Sequence, residues 1–212
     1  MKIGILGAGS IGGTVGTLWA QAGHEVRFGT RHPGEVKGLV ERLGARASAG
    51  TPEDAARFGD AVLLAVPVAA VPALGRAIAN LVAGKVVLDA SNAYRNRDGA
   101  LADAAMGHPQ GSSGWVASHL PGAYVVKAFN TVYFKVLASD AHRKGDEGPG
   151  IPLAGDDPRS LATAERLVRD AGFWPVVIGT LGKGKQFEPD TPVYGSGMRA
   201  SDVARALGVA VG

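Results

Sequence analysis

The 212-residue chain contains no cysteine, which excludes disulfides, thiolate nucleophiles and cysteine-ligated zinc or iron–sulfur centres. Any redox chemistry therefore belongs to a bound group rather than to a thiol. Aromatic residues are scarce, at 6%, and the net charge of +3 comes without a long cationic run. A nucleic-acid surface calls for a basic stripe interleaved with aromatics, so no nucleic-acid partner is expected. No apolar stretch reaches the roughly 18 residues a membrane span needs, and Met1-Lys2 leads into an apolar strand without a secretory leader. The expectation is a cytoplasmic protein with no membrane association. Its histidines, at 24, 32, 108, 119 and 142, form no i,i+4 pair and no carboxylate cluster, so no metal is expected.

What is present begins at the N-terminus. Ile3, Ile5 and Leu6 make an apolar strand, Gly7-Ala8-Gly9-Ser10-Ile11-Gly12 follows, and Ile11, Val15, Leu18 and Trp19 then recur at helical spacing. With 32 glycines in the chain, a G-x-G-x-x-G string can arise by chance, so the strand–turn–helix order carries the meaning. Gly7 permits the tight turn, Gly9 lets a pyrophosphate approach the backbone, and Gly12 lets the helix pack closely on the strand. The helix N-terminus supplies N–H groups and partial positive charge to the phosphates. A second absence selects the dinucleotide. NAD-preferring sites usually carry Asp or Glu after the second strand, but here stands Thr30-Arg31-His32. A hydroxyl, a guanidinium and an imidazole can each donate to a 2′-phosphate that a carboxylate would repel. The expected cofactor is NADP(H).

Apolar, β-rich segments recur at 2–6, 25–29, 45–48, 60–66, 85–89, 124–129, 151–154 and 174–178, with helical material between them. That alternation marks an α/β protein. Runs such as Ala61 to Val66 and Val86-Val87-Leu88 suit parallel strands covered on both faces. The expectation is a Rossmann-type doubly wound, mostly parallel sheet of about eight strands with a short C-terminal extension. It forms one domain over 1–212, with sheet and helices to 180 and a tail from 181 covering the cleft. Asp157-Pro158 should open a helix ending near Gly172, and Ser112 or Ser113 should cap another reaching Leu120.

In such a sheet, ligands lie across the carboxyl ends of the strands. Besides the glycine loop and Thr30 to His32, those ends offer Val66 and Pro67 as an apolar edge for a ring. Ser91, Asn92, Asn130 and Thr131 offer small amides and hydroxyls near the nicotinamide half. Turn and capping roles are the competing readings of each.

With these segments assembled, the chain resembles the NADP oxidoreductase family typified by the reductase that couples NADP to the deazaflavin coenzyme F420. The resemblance rests on Ile3 to Gly12, Gly29-Thr30-Arg31, Leu120 to Thr131 with its Lys-Ala-Phe-Asn-Thr, and Pro152 to Asp157 with its Ala-Gly-Asp-Asp. It implies that Thr30 and Arg31 bind the 2′-phosphate and that Val66-Pro67 and Asn130-Thr131 lie near the nicotinamide. The fold also resembles the cytosolic domain of membrane ferric reductases. Asn130-Thr131 replaces the family's His-Thr, and Tyr133-Phe134-Lys135 and the loop Ser139 to Gly150 depart from its pattern. Tyr133 and Phe134 can serve as a platform for a planar ring or pack beneath a lid.

Hydride exchange with a flavin-like ring needs stacked planes more than a side-chain acid. No His-Asp or Tyr-Lys arrangement stands out; His108 and Lys127 read as a loop histidine and a snorkelling lysine, so no catalytic side chain is assigned. The expected activity is hydride transfer between NADPH and a planar acceptor, with deazaflavin F420, a flavin or a quinone as second substrate. The alternatives are a noncatalytic NADPH-binding redox sensor and a small carbonyl or imine reductase. A homodimer is the default assembly.

Overall fold

A computed structural model of the chain describes residues 1–143 and 148–210. Residues 144–147, within the loop between Ser139 and Gly150, and the last two residues lie outside them. In chain order the elements are β1 (Lys2–Leu6), α1 (Ser10–Gln21), β2 (Glu25–Gly29), α2 (Lys37–Leu43), β3 (Ala47–Gly50), α3 (Pro52–Phe58), β4 (Ala61–Leu64), α4 (Val71–Val82) and β5 (Val86–Asp89). Three short helices follow, α5 (Arg95–Asp98), α6 (Ala100–Met106) and α7 (Gly111–Ser118). Then come β6 (Tyr124–Lys127), α8 (Phe134–Asp140), β7 (Gly150–Gly155), α9 (Pro158–Asp170), β8 (Trp174–Gly179) and α10 (Ala200–Leu207).

The strands form one eight-stranded sheet in the order β3-β2-β1-β4-β5-β6-β7-β8. The first six run parallel, β7 is antiparallel to β6, and β8 is parallel to β7. The expected Rossmann-type, mostly parallel sheet is therefore present, with its last two strands reversed. Only β1 to β6 present their carboxyl ends to one edge, which makes that edge the place where a ligand can lie.

Strand alternation divides the core between the two faces. Ile3, Ile5, Leu63, Leu88 and Val126 pack with α1, α8 and α9, while Leu6, Val62, Leu64, Val87 and Val125 pack with α3, α4, α6 and α7. A third cluster, built on Val176, Ile178 and Phe187, seats α10 against β8. Local signals explain several boundaries. Thr51 and Asp54 close a reciprocal capping box at α3. Asp157 accepts from the Ser160 amide at 2.7 Å with Pro158 following it, as expected for the start of α9.

Three local expectations are corrected. The third strand covers 47–50 rather than 45–48, because a 3-10 turn at Gly44–Arg46 occupies the earlier positions. β6 ends at Lys127 rather than 129, because Phe129 adopts φ +59 and turns the chain out of the sheet. This uncommon conformation is held by edge contacts of the buried Phe129 ring with Trp19 and Phe173. Finally, neither Ser112 nor Ser113 caps α7. The helix opens at Gly111 with Gln110 at the cap, and both serines turn inward to side-chain partners.

Candidate functional site

The turn between β1 and α1 is built by steric exclusion. Gly7 sits at φ +96, and a Cβ there would lie 2.5 Å from the Ala65 carbonyl oxygen. At Gly12 a Cβ would lie 1.9 Å from the Gly7 oxygen, so only glycine lets α1 approach the strand this closely. Gly9 differs: it is exposed, its backbone is extended, and beyond its own chain neighbours no atom of the described residues stands within 4 Å of where its Cβ would be. The protein supplies no packing reason for that glycine, and the space it leaves lies directly before the first turn of α1. That turn has no side-chain cap and no acidic residue, so its leading amides keep their donor capacity and positive potential. Ser10 is exposed beside it, while Ala8 and Ile11 lean on the core. Such a cradle fits a pyrophosphate.

A cleft of about 520 Å³ brings together Gly7, Gly9, Thr30, Arg31, Val66 and Pro67 from the ends of β1, β2 and β4. Ala70, Leu74 and Ala77, from α4 and the turn before it, add an apolar wall. Thr30 accepts a hydrogen bond from the His32 amide at 3.2 Å, which leaves its own hydroxyl hydrogen free to donate. Arg31 and His32 are exposed; Arg31 borders the cleft and His32 stands outside its lining. Glu53, in the first turn of α3, also borders the cleft near Thr30 and Arg31. Sequence reasoning missed it, because the acid sought after β2 comes instead from beyond β3.

The other four strand-end residues gather beside the ends of β5 and β6. Asn92 and Asn130 pair reciprocally, Asn92 Nδ2 donating to the Asn130 carbonyl at 2.9 Å and Asn130 Nδ2 to Asn92 Oδ1 at 3.1 Å. Asn130 Nδ2 also donates to the Phe187 carbonyl. Ser91 Oγ, Asn130 Oδ1 and Thr131 Oγ1 are buried without a partner among the described residues. Buried polar atoms are nearly always hydrogen-bonded, so three such atoms at one strand-end cluster suit the carboxamide of a nicotinamide.

Lys127 does not snorkel. Its side chain is 0% exposed, because strand alternation turns it, like Val125, toward α7. The ammonium donates to Ser112 Oγ at 2.9 Å and Ser113 Oγ at 3.1 Å, and stands 3.6 Å from Glu188. Glu188 accepts from the Ser112 amide and hydroxyl, and Asp89 accepts from Ser113 Oγ and the Ser91 amide. The cluster pins the tail, whose 3-10 segment Leu181–Phe187 leads into Glu188, across the ends of β5 and β6. A lone lysine in an apolar strand was the signal; its acidic partner lies far along the chain. His108, half-buried, accepts from the Gln110 amide through Nδ1 and belongs to the turn before α7.

Fold and cleft together define a Rossmann-type protein shaped for a dinucleotide. Residues 2–93 match the family described as NADP oxidoreductase, coenzyme F420-dependent, and the resemblance read from the motifs holds. The chain is 27% identical over 187 residues to the metalloreductase STEAP3 of Rattus norvegicus, a match that takes in 88% of this chain and 36% of that protein. The chain thus spans about a third of that relative's length. A hypothetical protein from Sinorhizobium meliloti superimposes with a TM-score of 0.79 at 29% identity, covering 94% of this chain and 95% of the other. A candidate F420-dependent NADP reductase from Arthrobacter sp. FB24 gives 0.76 at 23% identity, with 100% and 96% covered; that likeness concerns the fold. No helix among the described residues is long and apolar enough to cross a membrane.

Proposed function

We propose that this chain binds NADP(H) along the carboxyl edge of β1 to β6 and exchanges hydride between it and a planar acceptor. The open cradle at Gly9 carries the reading, since of Gly7, Gly9 and Gly12 it is the one where a Cβ would meet no atom of the described residues within 4 Å. Gly7, Ala8, Gly9, Ser10, Ile11 and Gly12 would hold the pyrophosphate, and Thr30, Arg31 and His32 the 2′-phosphate. Val66, Pro67, Ser91, Asn92, Asn130 and Thr131 would surround the nicotinamide. Bound NADPH would supply the hydride. The tail beyond residue 180 would close the nicotinamide end, as the contacts of Phe187 and Glu188 suggest.

Arg31→Ala tests the cofactor choice. A charge-assisted hydrogen bond contributes about 1.5–3 kcal/mol, so NADPH affinity should fall about tenfold to a hundredfold while NADH affinity stays within about twofold. Fluorescence titration measures both. Glu53→Gln, which removes a carboxylate near Arg31, should tighten NADPH. Equal affinity of the unaltered protein for NADPH and NADH would overturn the NADP assignment.

A planar acceptor is favoured by Tyr133, 55% exposed and edge-on to Phe134 just past the end of β6. An exposed tyrosine ring braced by a half-buried phenylalanine would offer a stacking face. NADPH absorbance should decline when the protein is mixed with one of coenzyme F420, a flavin, a quinone or a ferric chelate. Tyr133→Ala should then raise the KM of the acceptor by about twofold to tenfold, from the loss of one aromatic contact, without changing that of NADPH. Silence with every acceptor would instead favour an NADPH-binding module.

A further inference from the structure

A closed circuit of contacts joins the loop after β5 to the tail. Asn92 pairs with Asn130, the Thr131 carbonyl accepts from the Gly195 amide at 2.7 Å, and the adjacent Tyr194 meets Tyr94 hydroxyl to hydroxyl. The Tyr94 amide donates to Asp98, whose other carboxylate oxygen accepts from the Ala69 amide at 3.2 Å. The circuit is thereby tied to the turn that follows Pro67 at the cleft. Two phenols carry two hydrogens, and their mutual bond uses one. The other is left to donate. Burial, and then the bond to Tyr94, push the ionisation of Tyr194 far above that of a free phenol, so Tyr194 stays neutral. Arg97 stacks on the Tyr94 ring at 4.8 Å and holds its plane. The same two residues carry Asn130 Oδ1 and Thr131 Oγ1, on side chains more than nine-tenths buried and without a partner among the described residues.

We propose that Tyr94 and Tyr194 together form the catalytic hydrogen-bond donor to the hydride acceptor, an oxidised quinone, flavin or deazaflavin. The proposal rests on the reading that the nicotinamide lies beside Asn130 and Thr131. The acceptor gains a hydride, with its two electrons, as the C–H bond of the reduced nicotinamide breaks and a new bond to hydrogen forms on the acceptor ring. Negative charge then develops on an acceptor oxygen or nitrogen, which takes the free phenol hydrogen bond and afterwards a proton from water. The nicotinamide is left oxidised. A neutral donor already aimed at developing charge accelerates such a step without reorganisation.

The test compares the unaltered protein with Tyr94→Phe, Tyr194→Phe and the double variant. Readouts are NADPH affinity, binding of coenzyme F420 followed by its fluorescence without NADPH, and turnover of coenzyme F420 and of a quinone. We expect both affinities within about threefold, and kcat lowered by about a hundredfold in the double variant, the scale of losing one oxyanion donor. Should the Phe variants loosen the tail, 3,5-difluorotyrosine at position 94 or 194 keeps the contact while changing the acidity of the phenol. Turnover should follow that acidity, whereas a tie that merely anchors the tail would leave it unchanged. Normal NADPH binding with unaltered kcat in the double variant overturns the proposal alone. Failure of the unaltered protein to bind NADPH overturns the reading of the cleft, and binding without reduction of any acceptor overturns the proposal together with the hydride-transfer reading.

Discussion

Gly12→Ala is expected to destabilise the protein by about 3 kcal/mol or more, while Gly9→Ala leaves the fold intact and weakens NADPH binding at least about tenfold. The two positions are three residues apart in one loop, yet they answer to different neighbours. A Cβ at Gly12 would meet the Gly7 carbonyl oxygen at 1.9 Å and the Ile5 side chain at 3.1 Å. Neither can yield cheaply, because Gly7 is fixed by the hydrogen bond its amide donates to the Gly29 oxygen at 3.0 Å and Ile5 is wholly buried. Helix α1 would have to lift from the sheet and open the core beneath Val15 and Trp19. For a chain of this size such a loss lowers the melting temperature by roughly 6–12 °C. Gly9, at φ −72 and ψ −161, already has a backbone that alanine adopts freely, so its melting temperature should hold or rise slightly. Its methyl group would occupy the space where a phosphate oxygen approaches the first-turn amides of α1. Thermal melts and NADPH titration of both variants separate the two roles. A Gly9→Ala protein with unaltered NADPH affinity would remove the pyrophosphate from this turn.

Lys127→Ala should be costly for another reason. Removing one member of a buried ion pair leaves the other charge desolvated and unpaired, at about 3–5 kcal/mol. Here the loss also strips a partner from Ser112 and Ser113, and Glu188 would lose the buried cation that holds it over α7. Because Glu188 anchors the tail, protease cleavage between residues 180 and 200 should accelerate ahead of global unfolding. The double variant Lys127→Met with Glu188→Gln neutralises both partners and should recover part of the stability. Urea denaturation of Lys127→Met, of Glu188→Gln and of the double variant gives the coupling. A Lys127→Ala protein as stable as the parent, with a protected tail, would show that the cluster does not hold the tail in place.

The N-terminal half of the site was readable because its logic is local. Strand, glycines and helix follow one another within about twenty residues, and Gly12 meets atoms of Gly7 and Ile5 only a few positions away, so spacing alone implied the turn. The alternation of apolar runs likewise implied the sheet, since parallel strands buried on both faces leave a composition unlike that of helices or edges. Where expectation failed, a distant partner had intervened. Ser112 and Ser113 have the chemistry of caps, but Glu188, Lys127 and Asp89 offered them better-buried partners. Lys127 has a stem long enough to snorkel, but two serines and a carboxylate satisfied its ammonium within the core. Phe129 ended β6 early because aromatic packing on Trp19 and Phe173 outweighs the cost of its left-handed backbone.

The sequence by itself determined the dinucleotide turn, the absent carboxylate after β2 and the α/β order, since these depend on steric limits and periodicity acting over a few residues. Only the tertiary structure decided that β7 and β8 reverse, that Glu53 borders the cleft, that Lys127 is buried against Glu188, and that Tyr94 meets Tyr194. Each of those pairs elements separated by many residues, and no local propensity specifies which distant group will satisfy a buried charge or hydroxyl once the chain has folded.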